Sequence, residues 1–238
     1  MTWFAAVPAK LWLLLAAGPF LFFAAFVGLS VWFSARGVAP AQIPDRITAR
    51  LPHILTAVLG SVGLLLATQS AVVAHAWRLP TDIGRLVTGT LAGLVVGAVL
   101  AMVYLQWLEP GLVRLQRRVG DYVPPGSVLP AVSGNLVWFF VANVLLAPLV
   151  EETLYRGVAL PLMAAQTGTA TAVVVSCLLF GLLHWAGGLW YMLLTGLVGG
   201  GIFTALYLWS GHLLAPVAAH LALNLVEWGH AAWRAPRR

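Results

Sequence analysis

The sequence is poor in charged side chains. Only 8% of its 238 residues are Asp, Glu, Lys or Arg, while 61% are hydrophobic and the mean hydropathy is +0.93. An ordinary soluble domain carries about one quarter charged residues, so this composition excludes that class and indicates an integral membrane protein. Uncharged runs of about 17–25 residues recur along the chain and lack the strict alternation of a membrane barrel, which favours transmembrane helices.

Cysteine and lysine are almost absent. Cys177 is the only cysteine, which excludes an intrachain disulfide and leaves the redox compartment open; we expect it to be a small core residue. The formal charge of +6 comes almost entirely from arginines, which occur mainly in the connections and at the C-terminus. This distribution is typical of membrane topology signals and gives no indication of nucleic-acid binding.

The apolar runs predict an all-α, polytopic membrane bundle of about seven transmembrane helices, with eight as the alternative. The predicted spans are residues 11–33, 51–77 and 86–108, a bent helix over 135–165, and three spans that follow it, divided at Gly187-Gly188 and Ser210-Gly211. A polar connection over residues 109–130 is predicted to contain a short amphipathic helix on the headgroups or a charged loop. His212 lies at a predicted turn, where we expect water to solvate it.

One predicted span carries a small-residue face. Gly89, Gly93 and Gly97 recur every four residues, a spacing suited to close helix packing. The arginine distribution in turn favours a cytoplasmic C-terminus. The basic residues assigned to the cytoplasmic side are Arg36, Arg46, Arg50, Arg114, Arg117, Arg118, Arg234, Arg237 and Arg238, against Lys10, Arg78 and Arg85 outside.

Two adjacent carboxylates lie inside the bent apolar helix. A charged residue at the centre of a membrane helix costs about 2.5–3.5 kcal/mol, so Glu151 and Glu152 need partners or a chemical role. Glu152 and Arg156 stand at i and i+4, with the acid N-terminal, which predicts an ion pair. Glu151 points about 100° away around the helix and is predicted to be free to act.

Three polar side chains stand out in the tract between Gly157 and Val226, which contains no charged residue. They are His184, and His220 with Asn224 one helical turn apart. Counted from the turns at 166–168 and 210–211, helical rise places Glu151 about 22 Å, His184 about 24 Å, His220 about 14 Å and Asn224 about 20 Å into the membrane. The four residues are therefore predicted to surround one cavity on the cytoplasmic half of the bilayer.

These residues also form three sequence motifs. Glu151-Glu152-Thr-Leu-Tyr-Arg156 fits Glu-Glu-x-x-x-Arg, Phe180-Gly-Leu-Leu-His184 fits Phe-x-x-x-His, and His220-Leu-Ala-Leu-Asn224 fits His-x-x-x-Asn. In this order they resemble the CAAX-protease and bacteriocin-processing family of intramembrane endopeptidases. The resemblance covers about residues 135–230 and suggests a division into N-terminal helices without matched motifs (1–130) and a catalytic core (131–238).

The resemblance implies peptide-bond hydrolysis in or at the edge of the membrane. It makes Glu151 and His184 the residues that activate a water, and His220 and Asn224 the residues that stabilise the oxyanion. Glu152, Arg156 and Phe180 would support the site structurally. The same chemistry is reasonable from the residue types alone, because a carboxylate beside an imidazole can act as a base and an amide can donate to an oxyanion.

Alternative functions remain open at this stage. A zinc enzyme could use Glu151, His184 and His220 as ligands, but the sequence has no His-Glu-x-x-His motif, which favours catalysis without a cofactor. A proton-coupled transporter or a non-catalytic membrane immunity or scaffold protein would also use buried polar residues. The expected partners are the lipid bilayer and a membrane-associated peptide or protein. We expect cleavage of a leader peptide or a C-terminal sorting tail in a bacterial inner membrane.

Overall fold

The computed structural model describes residues 9–123 and 135–234, and over these residues the chain is all-helical, with 88% helix and no strand. The helices are α1 (Ala9–Ala35), α2 (Ile43–Thr48), α3 (Leu51–Ala67), α4 (Ser70–Ala76), α5 (Ile83–Val119), α6 (Leu136–Thr167), α7 (Thr169–Leu182), α8 (Leu189–Ser210) and α9 (Leu214–Arg234). The all-helical membrane class predicted from the sequence is confirmed.

The count of seven spans is not confirmed. Among the described residues, four helices are long and apolar enough to cross a membrane, namely α1 from Leu11, α5, α6 and α8. The helical segments Pro40–Thr48 and Leu51–Ala67 are bent by 58° relative to each other and would make a fifth if taken as one span. The predicted span 51–77 is divided, because α3 ends at Ala67 and α4 begins at Ser70. At 14 residues, α7 is shorter than a bilayer requires.

The predicted connection after residue 108 begins as a helix. The segment Glu109–Val119 continues α5 without a break, so it is not a separate helix on the headgroups. Gly120, with a positive φ of 71°, ends it as a left-handed cap. The remainder of the predicted connection, residues 124–130, lies outside the described residues, as do Arg237 and Arg238 at the C-terminus.

Widened π turns interrupt three of the long helices. They span Tyr104–Leu108 in α5, Phe140–Leu146 and Thr153–Ala159 in α6, and Thr195–Gly199 in α8. A π turn shifts the backbone hydrogen-bonding pattern of the helix by one residue, so carbonyl groups near the turn can accept hydrogen bonds from side chains of other helices. Such turns are frequent at functional sites.

The glycine face of α5 packs against α9, as its spacing predicts. Gly89, Gly93 and Gly97 are all buried. A Cβ atom on Gly93 would overlap the carbonyl oxygen of Ala215, and one on Gly97 would overlap that of Ala219. Two helix backbones can approach this closely only where a side chain is absent. This contact holds α9 against α5 beside the candidate site.

The expectation for His212 is wrong. Its side chain is buried, with only 2% of the residue exposed, and Nε2 lies 3.4 Å from the carbonyl oxygen of Arg85. A Cβ atom on Gly89 would come within 2.6 Å of Nε2, so the glycine provides the space that the imidazole occupies. Cys177, by contrast, is buried as expected, with its Sγ atom 4.0 Å from Oγ1 of Thr204.

Candidate active site

Helix α6 contains the predicted ion pair. Nη1 of Arg156 lies 3.0 Å from Oε1 of Glu152, and both side chains are completely buried. The i,i+4 pairing inferred from the sequence is therefore confirmed. A buried charge requires such a partner, because its isolated transfer out of water is very costly.

Arg156 also connects α6 to α8. Nη2 donates a hydrogen bond of 2.9 Å to the carbonyl oxygen of Gly200, and Nε donates one of 3.3 Å to Oγ1 of Thr204. Gly200 directly follows the π turn Thr195–Gly199. The three nitrogen atoms of the guanidinium group thus all have acceptors, and the cation fixes the distance between the two helices.

Phe180 packs against the charged pair, as its predicted supporting role requires. The guanidinium carbon of Arg156 lies 4.4 Å from the centre of the Phe180 ring, a distance typical of a cation–π contact. The same ring lies 5.1 Å from His184 and 6.1 Å from His220, measured between ring centres. The Phe180 ring therefore packs beside the arginine and both imidazoles.

Glu151 remains without a partner, unlike its neighbour. Its residue is 7% exposed, and its Oε2 atom forms no hydrogen bond with the described residues. The side chain lines a cavity of about 550 Å³. A buried, unpaired carboxylate at a cavity wall is poorly explained by stability alone and is available for a proton transfer.

His184 follows α7 and lines the same cavity. Its Nδ1 atom lies 3.0 Å from the carbonyl oxygen of Phe180. A carbonyl oxygen can only accept, so Nδ1 carries the proton, and in the neutral ring Nε2 presents a lone pair. This is the tautomer required to accept a proton or to orient a water.

Hydrogen bonds from polar side chains hold the turn that follows His184. Nε2 of the buried Gln116 donates a 2.8 Å hydrogen bond to the carbonyl oxygen of Gly187. The carboxylate of Asp121 accepts from the backbone N–H groups of Trp190, at 3.1 Å, and Leu189, at 3.2 Å. These backbone donors, that of Trp190 foremost, lower the pKa of Asp121. The end of α5 is thereby attached to the start of α8.

His220 is bound to the structural carboxylate, a contact that the sequence did not predict. Its Nδ1 atom lies 2.9 Å from Oε1 of Glu152, the same oxygen that accepts from Arg156. An ionised carboxylate can only accept, so Nδ1 carries a hydrogen and donates it. In the neutral ring this leaves Nε2 without a hydrogen. His220 can therefore donate through Nε2 only when the ring is an imidazolium.

Asn224 is oriented by a π turn of α6. Its Nδ2 atom donates a 2.7 Å hydrogen bond to the carbonyl oxygen of Asn143, within Phe140–Leu146. One Nδ2 hydrogen remains for another acceptor. Because His220 and Asn224 are one turn apart on α9, their remaining donors share one face of that helix.

The structure brings all four predicted residues to one cavity. Glu151, His184, His220 and Asn224 line it together. Within the described parts of the chain, no three His, Cys, Asp or Glu side chains converge in a metal-binding arrangement. The metal-free and zinc alternatives for Glu151, His184 and His220 both stay predictions.

Sequence reasoning missed several cavity residues. Glu109 and Glu227 line the cavity although neither belongs to a recognised motif, and Tyr191 lies beside them. Glu227 could have been identified from its position seven residues after His220, which places it on the same helical face. Asn143 carried no signal, because its contribution is a backbone carbonyl.

Comparison with known proteins yields one family. Residues 133–226 match the model of the family described as type II CAAX prenyl endopeptidase, Rce1-like. No curated protein and no solved structure matches the chain. The matched segment contains all three motifs and supports an intramembrane endopeptidase activity. The resemblance found in the motifs is thus confirmed over residues 133–226, which match the Rce1-like CAAX endopeptidase model.

Proposed function

We propose that the chain is an intramembrane endopeptidase that uses a water activated by Glu151 and His184 to cleave a peptide bond near one end of a membrane-associated substrate. The observation that carries this proposal is the contrast within the acid pair. Glu152 is bound by Arg156 and His220, whereas Glu151 is buried, forms no ion pair and lines the cavity.

The first step forms the new C–O bond. A water between Glu151 and His184 gives one proton to this pair as its oxygen attacks the carbonyl carbon of the substrate. A positioned base contributes about 10²–10⁴-fold to such a step. Nε2 of His184 is suited to the task because Nδ1 is held by the carbonyl oxygen of Phe180.

In the second step, the tetrahedral intermediate is stabilised at its oxyanion and then breaks down. His220, as an imidazolium paired with Glu152, donates through Nε2, and Asn224 donates its free amide hydrogen. Two donors already oriented toward the oxyanion stabilise the developing charge strongly. The C–N bond then breaks, and the amine nitrogen takes up the proton held by the Glu151–His184 pair. A carboxylic acid and an amine are released, and the acid gives up its remaining proton to become a carboxylate in water.

The charges of this arrangement balance. With Glu151 as a carboxylate and His220 as an imidazolium, the two negative groups Glu151 and Glu152 face two positive groups, Arg156 and His220. A neutral total is important, because an unbalanced charge in a low-dielectric interior is costly. Glu152 and Arg156 are positioning residues in this scheme. The proposed scheme uses these side chains and a water, without a metal.

The substrate is proposed to be a leader peptide or a C-terminal sorting tail, in keeping with a protease that acts at a membrane. We further propose that the site opens to the cytoplasmic side of a bacterial inner membrane, as the arginine distribution suggests. An apolar wall suits a substrate segment that is itself embedded in lipid.

Comparative proteomics of membrane-protein termini would test the proposal. Cells that carry the wild-type chain should contain at least one protein terminus that is absent when Glu151→Gln replaces it, because a glutamine cannot accept the proton. Asp45→Asn is the matched control, since Asp45 is exposed on α2 and does not line the cavity. Identical termini in the wild-type and Glu151→Gln cells, at equal protein levels, would contradict the proposal.

A further inference from the structure

His184 lies in a turn, whereas the other residues of the proposed site lie within helices. Helix α7 ends at Leu182, and the tight turn Trp185–Gly187 directly follows His184. Glu151 and His220 lie within α6 and α9, where the helical backbone sets the direction of a side chain. The direction of the His184 ring therefore depends on what holds this turn.

Two successive hydrogen bonds connect the backbone of His184 to Gln116. The backbone N–H group of Gly187 donates a 3.0 Å bond to the carbonyl oxygen of His184, and Nε2 of Gln116 donates one of 2.8 Å to the carbonyl oxygen of Gly187. Nε2 also donates a 2.8 Å bond to the carbonyl oxygen of Tyr122, so both amide hydrogens have acceptors. Because Gln116 is only 1% exposed, no water can replace it easily as the donor to Gly187.

Asp121 holds the other end of the turn. Its carboxylate accepts from the backbone N–H groups of Leu189 and Trp190, the first two residues of α8, and from that of Tyr122 at 2.8 Å. A helix is usually capped by the residue just before it, but here that residue is Gly188, which has no side chain. The acceptor comes instead from a residue that follows α5.

The contact between the turn and the end of α5 is close. Gly188 has a φ of 93°, and a Cβ atom there would come within 2.5 Å of the carbonyl oxygen of Tyr122 and within 2.7 Å of Nε2 of Gln116. A Cβ atom on Gly187 would overlap the ring of Tyr191. Because the turn is packed on both sides, the end of α5 determines where its backbone lies.

We propose that Gln116 and Asp121 are positioning residues, which hold the turn 185–188 and thereby keep the imidazole of His184 directed at the reacting water. The inference rests on the proposed protease function. It adds a role for the end of α5, which lies before the segment 133–226 matched by the family model. A misplacement of a catalytic group by about 1 Å can lower a rate by about 10²-fold, so these contacts should affect kcat.

A double-mutant cycle with a peptide identified from the terminal proteomics tests the coupling. Gln116→Met keeps the length of the side chain but removes both donors, so kcat should fall about ten- to a hundredfold, with KM changed by less than about threefold. In the His184→Ala background the same substitution should lower kcat by less than about twofold, because no imidazole remains to be misplaced. Gln106→Met is the matched control, since Gln106 is exposed on the same helix and should leave kcat unchanged in both backgrounds.

Equal losses of kcat from Gln116→Met with and without His184 would overturn the inference, since a purely structural role would weaken both backgrounds alike. A wild-type kcat in Gln116→Met would overturn it as well. If size-exclusion chromatography shows that Gln116→Met does not fold, the same cycle is measured with Asp121→Ala. Asp121 is partly exposed, and its substitution should show the same dependence on His184.

Nuclear magnetic resonance of the full chain with ¹⁵N-labelled histidine in detergent micelles separates this inference from the proposed function. The signal of His184, assigned by its loss in His184→Ala, should be that of the Nδ1–H tautomer, because Nδ1 is bound to the carbonyl oxygen of Phe180. Gln116→Met and Asp121→Ala should each shift the signal toward a mixture of tautomers, and Gln106→Met should not. Shifted signals without cleavage by the wild type would keep the hold on His184 and refute the protease. Unchanged signals in an enzyme that cleaves would refute the positioning role alone.

Discussion

Arg156 is the completely buried cation that joins α6 to α8, and its removal should lower the Tm of the protein measurably. The substitution Arg156→Ala leaves Glu152 without its guanidinium partner, the carbonyl oxygen of Gly200 without a donor, and a hole beside Phe180. Removing one partner of a buried ion pair costs about 3–5 kcal/mol. Since 1 kcal/mol shifts Tm by about 2–4 °C in a chain of this size, Tm should fall by at least about 6 °C.

The measurement is thermal unfolding in detergent, followed by tryptophan fluorescence at matched protein concentration. Arg46→Ala is the control, because Arg46 is exposed on α2 and is predicted to leave Tm unchanged. Activity should fall as well, since Arg156 shares an oxygen of Glu152 with His220 and fixes the orientation of that carboxylate. A Tm within about 2 °C of the wild type for Arg156→Ala would refute the reasoning that this pair holds the helices together.

Two further predictions concern packing and pH. Gly97→Ala should destabilise the protein by about 1–3 kcal/mol, because its Cβ atom would overlap the carbonyl oxygen of Ala219. The control is Gly60→Ala, whose Cβ atom would meet nothing within 4 Å, so this variant should be neutral or stabilising. Equal Tm values for the two variants would contradict the close contact. Hydrogen bonds from backbone N–H groups, that of Trp190 foremost, lower the pKa of Asp121 below its usual value of 3.8, so the carboxylate contributes stability above that pH and loses it as the pH falls through the lowered pKa. The Tm difference between the wild type and Asp121→Asn should therefore be largest above about pH 4 and shrink below it, and a difference that does not change with pH would contradict this assignment.

Contacts within one helix were predictable from the sequence. The Glu152–Arg156 pair follows from i,i+4 spacing, and the glycine face of α5 follows from a four-residue repeat. Both depend only on helical geometry, which is the same in every helix. The all-helical membrane class follows in the same way from composition and the length of the apolar runs.

Contacts between helices were not predictable in the same way. Counting residues gave the depth of His220 but not the rotation of α9, so its bond to Glu152 could not be inferred. The π turns, which offer carbonyl groups such as that of Asn143, depend on partners from other helices and leave no local pattern. His212 was misjudged for a related reason, since its burial depends on the space above Gly89.

The predicted span boundaries differ from the structure where a helix is interrupted inside an apolar stretch of sequence. Residues 51–77 are apolar throughout, yet the helix ends at Ala67 and begins again at Ser70. Hydropathy detects apolar composition and does not detect a change in backbone direction. The division of the chain at residues 130 and 131 stays a prediction, as do the membrane orientation and the catalytic roles of the site residues.

The dependence of cleavage on Glu151 is the most direct test of the proposed mechanism. The substrate is a peptide identified from the terminal proteomics, and kcat/KM is measured for wild type and Glu151→Gln, each before and after metal removal by chelation. The chelated wild type should remain active, while Glu151→Gln should lose about 10²–10⁴-fold in kcat/KM yet keep the wild-type Tm within a few degrees. Loss of wild-type activity on chelation with recovery on adding zinc would contradict the metal-free mechanism, and full activity in Glu151→Gln would contradict a catalytic role for this carboxylate.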